Sequence, residues 1–220
     1  MCTAIPGLRV YLHEQTTARG TWEADADGLH RAGEEGDREV KRYQIIYADP
    51  PWNFRVWSKN IGKGGRCPDK HYKTMDLEDI KKFNIPADDT CSLFMWVTYP
   101  MLQEGLELLK AWGFVYRTTA FTWAKLNPSG VGYSMGLGYW TRANPEICIL
   151  GTKGKPKRIN AGVRNLVVSP RRKHSQKPDE IKEMIVKLMG DIPRIELFAR
   201  QKTEGWDVWG NEVESDIELV

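Results

Sequence analysis

The ten residues YQIIYADPPW, Tyr43 to Trp52, decide the fold. The apolar run Tyr43–Ala48 stops abruptly at Asp49-Pro50-Pro51-Trp52, as a strand buried inside a sheet does. A carboxylate directly after such a strand lies at the carboxyl end of the sheet, where open α/β folds bind their ligands. Two successive prolines fix φ and lack N–H donors, so the turn is rigid and its carbonyls are held outward. Asp49 and the Pro50 carbonyl then form a pair of acceptors, and Trp52 offers a flat apolar face. That set suits an aromatic ring with an exocyclic amine, two acceptors serving its two N–H bonds and the indole its π-face. Alone, the same residues also suit an Asx-type turn with a core tryptophan, so the surroundings must decide.

Outward from this stretch, strands and helices alternate. Ser92–Val97, Phe114–Ala124, Glu146–Gly151, Arg194–Ala199 and Trp206–Asn211 read as further strands. Asp76–Phe83 reads as a short helix capped by Asp76. A second helix starts at Pro100, with Leu102, Leu106 and Leu109 on one face, and ends at Trp112-Gly113. A third opens at Pro178, with Ile181, Met184, Ile185 and Leu188 on one face, and stops at Gly190. The pattern predicts an α/β fold with a mostly parallel sheet covered by helices on both faces. Three stretches, 53–73, 125–145 and 152–176, read as long irregular loops, which in a compact domain usually serve function. Residues 1–40 read as a polar leader, partly disordered, residues 41–214 as the folded domain and 215–220 as a tail.

The chain has 220 residues, 41% hydrophobic and 28% charged, enough for one core and a soluble surface. No apolar run approaches the roughly 20 residues of a membrane-spanning helix. The start, MCTAIPGLRVYLHEQ, has neither the basic opening nor the apolar stretch of a secretory signal. Cys2, Cys67, Cys91 and Cys148 are scattered without a CxxC pair, and His13, His30, His71 and His174 make no ligand pattern. A disulfide framework and a metal site are therefore not expected, and a reducing cytoplasm is. The net charge of +3 is uneven: residues 1–40 hold four arginines against eight acidic residues, so the rest of the chain carries +7. Nine basic residues and no acidic one lie from Lys153 to Lys177, among them Arg171 and Arg172. Six more lie from Arg55 to Lys73, opposed only by Asp69. With Trp57, Tyr72, Tyr139 and Trp140 interleaved, these runs point to a polyanion, and nucleic acid is the expected partner. Gly62-Lys63-Gly64-Gly65 lacks the spacing of a phosphate loop.

The motifs together resemble the adenine-N6 methyltransferases, the family of the mRNA adenosine methyltransferase catalytic subunit and its compact bacterial and phage relatives. The likeness runs through YADPPW (47–52), HYKTM (71–75), LFMWVT (93–98) and FTWAKLN (121–127). It continues through NPEICILGTKGKP (144–156), HSQKPDEI (174–181), RIELFAR (194–200) and GWDVWGNEV (205–213). The resemblance implies a Rossmann-like fold using S-adenosylmethionine, with the catalytic motif preceding the cofactor-binding strand. It implies that Asp49, Pro50, Pro51 and Trp52 grip the target amine. Lys177 would reach the methionine end of the cofactor, Glu196, Leu197, Phe198 and Arg200 would surround its nucleoside, and Asn211 and Glu212 would hold the ribose hydroxyls. Tyr72 and Glu146 would lie near the target base, with Lys125, Arg171 and Arg172 on the nucleic-acid path. The aspartate expected to hold the cofactor's adenine is not placed by this likeness, and Asp37 is the nearest choice. DNA is the favoured substrate and RNA the next, and a homodimer through the 125–145 loop is allowed by analogy. Two other readings compete: a non-catalytic partner subunit of the same fold, opposed by the intact motif, and cytosine-N4 methylation, whose enzymes usually carry serine where Asp49 stands.

Overall fold

The computed structural model describes residues 41–53, 74–136, 138, 140–172 and 175–219. The leader with Asp37, the basic loop with Trp57 and Tyr72, and residues Tyr139 and His174 lie outside the described residues.

Seven strands form one sheet in the order β5-β3-β4-β2-β1-β6-β7. They are β1 (Tyr43–Ala48), β2 (Ala87–Val97), β3 (Val115–Leu126), β4 (Glu146–Lys153), β5 (Leu166–Pro170), β6 (Arg194–Leu197) and β7 (Asp207–Trp209). Only the two pairings made by β4 are antiparallel, so one strand runs against the other six. Among the described residues three α-helices accompany the sheet: α1 (Leu77–Lys81), α2 (Leu102–Ala111) and α3 (Glu180–Met189).

Alternation along the strands divides the core into two layers, as the period of a strand dictates. From β1 and β2, Ile46, Leu93 and Met95 face the layer completed by Ile80 of α1 and by Leu108 and Leu109 of α2. Ile45, Tyr47, Phe94 and Trp96 face the opposite layer, closed by Ile181, Ile185 and Met189 of α3. The sheet is thus covered on both faces, and its central strands are apolar on both sides for that reason.

The helix faces differ in detail from expectation. In α2 the buried positions are Gly105, Leu108 and Leu109, while Leu106 is exposed. Gly105 sets this rotation, because a Cβ there would lie 2.7 Å from Val97 Cγ2. Asp76 occupies the N-cap of α1 without a side-chain capping bond. Its carboxylate instead accepts from Asn53 Nδ2 at 3.0 Å, tying α1 to the chain just after Trp52. The stretch 152–176, expected to be irregular, contains β5, whose five residues are too short and too mixed in polarity to show a strand period. Residues 215–219, expected as a tail, lie along β7: Val208 N–H donates to Asp216 Oδ2 at 2.9 Å, and Ile217 and Leu219 pack on the core. Among the described residues no helix is long and apolar enough to cross a membrane.

Candidate active site

The chain leaves β1 toward β2 on one side and reaches β6 and then β7 on the other, so β1 and β6 flank a topological switch point. Ligands of open α/β sheets bind outside the carboxyl ends of the strands at such a point. A cavity of about 230 Å³ lies there, with Tyr47, Asp49, Lys177, Glu196, Phe198 and Arg200 in its lining.

Asp49 follows the last residue of β1. Trp52 N–H donates to the Pro50 carbonyl at 2.8 Å, and Met75 N–H donates to the Pro51 carbonyl at 2.9 Å. Both proline carbonyls are therefore engaged rather than wholly outward, although a carbonyl oxygen keeps a second lone pair. Trp52 departs further from expectation. It is 4% exposed, packs in the α1/α2 layer, and its Nε1–H donates to the Trp96 carbonyl at 3.1 Å. Its ring is a buried anchor for the turn and presents no open stacking face.

Lys177 enters from the segment between β5 and α3, with its ammonium 2.6 Å from Asp49 Oδ2 and 3.4 Å from Glu146 Oε2. Ser175, two residues earlier, holds a left-handed φ of 63° and lends its carbonyl to the same ammonium at 3.3 Å. Glu146 opens β4, and because β4 alone runs antiparallel, its first residue lies at the edge where the parallel strands end. Glu146 also pairs with Lys125 from the end of β3.

The two carboxylates that share Lys177 behave oppositely. Burial pushes the Asp49 carboxyl above the ordinary range, and Lys177 opposes this without cancelling it. Burial also pushes Glu146 up, but Lys177 and Lys125 together outweigh it and hold its carboxyl below the ordinary range. A divergence of this kind between neighbouring carboxyls is common where acid–base chemistry occurs.

On the other side of the cavity, Glu196 of β6 pairs with Lys182 of α3, whose ammonium also donates to Thr203 Oγ1 at 2.6 Å. Burial raises the Glu196 carboxyl in spite of that cation. Phe198 follows β6 with a left-handed φ of 62°, a strained state for a non-glycine residue. Its ring meets Phe83 and Trp209 edge-on, at centroid distances of 6.1 and 5.4 Å. Leu197 is fully buried in the core, so its side chain lies away from the cavity. Gly210 lets β7 close against this corner, since a Cβ there would lie 2.1 Å from the Ala199 carbonyl. Asn211 and Glu212 follow at the exposed rim, where Glu212 lies 3.7 Å from Arg200. Arg171 and Arg172 lie exposed beyond β5, and Arg172 pairs with Asp179 at 2.6 Å. Of the expected site residues, the structure brings Asp49, Lys177, Glu146, Lys125, Glu196, Phe198 and Arg200 to one edge. Lys182 and Tyr47 join them in the cavity lining without having been named as site residues, the first read only as a polar helix position and the second only as part of the YADPPW motif.

The family model described as MT-A70 matches residues 43–212. The chain is 34% identical to the Type II methyltransferase M.MunI from Mycoplasma sp., over 81% of this chain and 82% of that protein. It is 31% identical to the human N(6)-adenosine-methyltransferase catalytic subunit METTL3 over 79% of this chain. It is 30% identical to the MT-A70-like N(6)-adenosine-methyltransferase of Drosophila melanogaster over 81%. The match spans 28% of each of these two longer relatives. A mostly parallel sheet covered on both faces, with a cavity at its switch point, defines a Rossmann-like α/β fold. The chain belongs to the MT-A70 family of adenine-N6 methyltransferases.

Proposed function

We propose that the domain, residues 41–214, transfers a methyl group from S-adenosylmethionine to the N6 amine of adenine in nucleic acid, with DNA the favoured substrate. The observation that carries this reading is Asp49, a carboxylate at the switch-point cavity held by the Lys177 ammonium at 2.6 Å. The cavity lining fits the donor: Lys177 and Arg200 suit its carboxylate, Glu196 suits its ammonium, and Phe198 offers an aromatic face. When bound, S-adenosylmethionine supplies an electrophilic methyl group.

The chain's own residues orient the amine. Asp49 accepts one N–H of the target, and the second lone pair of the Pro50 carbonyl accepts the other. This draws the nitrogen toward a pyramidal geometry with its lone pair aimed along one line. Fixing that line supplies much of the acceleration available to such a transfer. The base must leave a duplex, or arrive single-stranded, to enter the cavity. Asn211 and Glu212 hold the donor's ribose at the rim, a customary role for polar groups at a strand end. Tyr72, outside the described residues, is proposed for the base on the family likeness alone.

DNA is favoured because the likeness to M.MunI covers most of both chains, whereas METTL3 extends far beyond this domain. The N(6)-adenosine-methyltransferase relatives support RNA as the second reading. Incubation with labelled donor and single-stranded DNA, duplex DNA or RNA, followed by nucleoside mass spectrometry, separates the two. N6-methyldeoxyadenosine is the expected product, N6-methyladenosine moves the substrate to RNA, and no product from any of them overturns the reading. A cytoplasmic location belongs to the same proposal.

Arg171 and Arg172, exposed beyond the carboxyl end of β5, form the phosphate-contacting surface, whereas Lys155, Lys157 and Arg158 follow the last residue of β4 at the opposite edge of the sheet. If each of the two arginines neutralises one phosphate, affinity falls by about tenfold between roughly 50 and 200 mM salt. A slope near zero in a titration followed by fluorescence anisotropy would remove them from the interface. The 125–145 segment exposes Val131, Tyr133, Met135 and Trp140, the last at 99%, and is the proposed homodimer contact. Trp140→Ala is expected to shift the sedimentation profile toward monomer, and an unchanged profile counts against that contact.

A further inference from the structure

Four charged side chains of alternating sign run along the carboxyl edge of the sheet: Asp49, Lys177, Glu146 and Lys125. Their order follows from topology. Trp123 of β3 pairs in register with Glu146 of β4, which sets Lys125, two residues on, beside that carboxylate. Asn144 locks the register, because its Oδ1 accepts Lys125 N–H at 3.0 Å and its Nδ2 donates to the Lys125 carbonyl at 2.8 Å. The Lys125 ammonium also lies 5.0 Å from the centre of the Trp123 ring. Each inner member of the row therefore touches two partners, and Glu146 is held from both ends. Its side chain is 19% exposed and that of Lys125 22%, so solvent screens these charges only in part.

We infer that Glu146 and Lys125 are positioning residues for methyl transfer, Lys125 anchoring Glu146 and Glu146 holding the Lys177 ammonium at a fixed distance from Asp49. A carboxylate that surrenders both oxygens to a lysine has little capacity left for an incoming amine. Sharing the ammonium between Asp49 and Glu146 limits that capture. The inference assigns Glu146 to the lysine rather than to the base, and it rests on the proposed role of Asp49 as the amine acceptor.

The groups that face Asp49 come from every element around it. Lys177 before α3, Glu146 on β4 and Arg200 after β6 act on its carboxyl, and its own charge helps to raise Tyr47 on β1, Cys148 on β4 and Glu196 on β6. Among them Lys177 and Arg200 lower the Asp49 carboxyl, and Glu146 raises it.

Opposite shifts follow for the two ends of the row. In Glu146→Gln, Lys177 is released to Asp49, and the acid limb of the kcat profile moves down by about one pH unit. In Lys125→Met, Glu146 keeps only Lys177, draws it from Asp49, and the acid limb moves up. In the double variant the Lys125→Met shift vanishes, because its route through Glu146 is gone. Lys125→Arg, which keeps the cation, restores the wild-type limb. Shifts of the same sign, or shifts that simply add in the double variant, overturn the inference. Should Glu146→Gln fail to fold, Glu146→Asp, with its shorter reach to Lys177, gives the same downward shift. Asp49→Asn separates the two levels: an active Asp49→Asn enzyme removes the acceptor reading itself, whereas an inactive one with unmoved limbs in the other variants removes only the positioning roles.

Discussion

Asp49→Asn is expected to lower turnover roughly a hundred- to a thousand-fold, the usual cost of removing one preorganised acceptor or proton-handling group. The melting temperature should be unchanged or higher at neutral pH. Asparagine keeps the shape of the side chain and one acceptor oxygen, but its second head atom donates and repels both Lys177 and an amine N–H. Stability follows a separate logic. Burial raises the Asp49 carboxyl above the ordinary range even with Lys177 beside it. For an acid whose pKa is raised by folding, the associated stability is fully present below the unfolded pKa and is lost as pH rises through the folded one. At neutral pH the ionised carboxylate therefore works against the fold, and a neutral isostere relieves it. Melting curves of the wild type and the variant should converge or cross as pH falls toward the carboxylate range, while kcat stays low throughout. An active Asp49→Asn enzyme, or one strongly destabilised at neutral pH, would contradict this account.

Much of this site was legible from residue order alone, and what was not had physical causes. The β1 turn could be read because an apolar run followed by two prolines permits few conformations. Lys177 and Glu196 came from a family likeness and not from periodicity. The departures trace to tertiary contacts that a linear pattern does not encode. Trp52 was expected to offer its face to a base, yet its indole is drawn inward by the Trp96 carbonyl. Leu106 fell on the expected face of α2, but the close approach of Gly105 to Val97 turned the helix so that Leu108 took its place. The direction of β4 mattered most. A strand reads the same in either direction, so nothing in EICILG could tell whether Glu146 lay at the catalytic edge or at the opposite one. The antiparallel pairing of β4 with both β2 and β3 puts it at the catalytic edge.

Lys177→Met should be the most damaging single change in both turnover and stability, with the two losses separable by pH. Its side chain is 10% exposed and joins two carboxylates that are themselves mostly buried. Removing one partner of a buried pair costs roughly 3–5 kcal/mol, because it leaves an uncompensated charge in a poorly solvated place. Here two carboxylates lose the same cation, and they repel each other across the space it leaves. Glu146 changes sign in the process. In the wild type its lowered carboxyl contributes stability above the unfolded pKa, lost as pH falls through the folded value. Without Lys177, burial acts on it with only Lys125 in opposition, and its pKa rises toward that of Asp49. The destabilisation of Lys177→Met should therefore be largest at neutral pH and shrink as both carboxyls take up protons in mild acid. Turnover should not recover with stability, because a protonated Asp49 no longer accepts the amine N–H at full strength and the donor's carboxylate still lacks its cation. Lys177→Arg tests the division. It keeps the charge and should restore most of the melting temperature. Its planar fork spreads that charge over a different geometry, so turnover should remain well below wild type. Thermal melts between neutral and mildly acidic pH, with kcat measured over the same range, would decide it. A Lys177→Met protein that loses stability equally at every pH would show that the lysine acts through packing rather than charge.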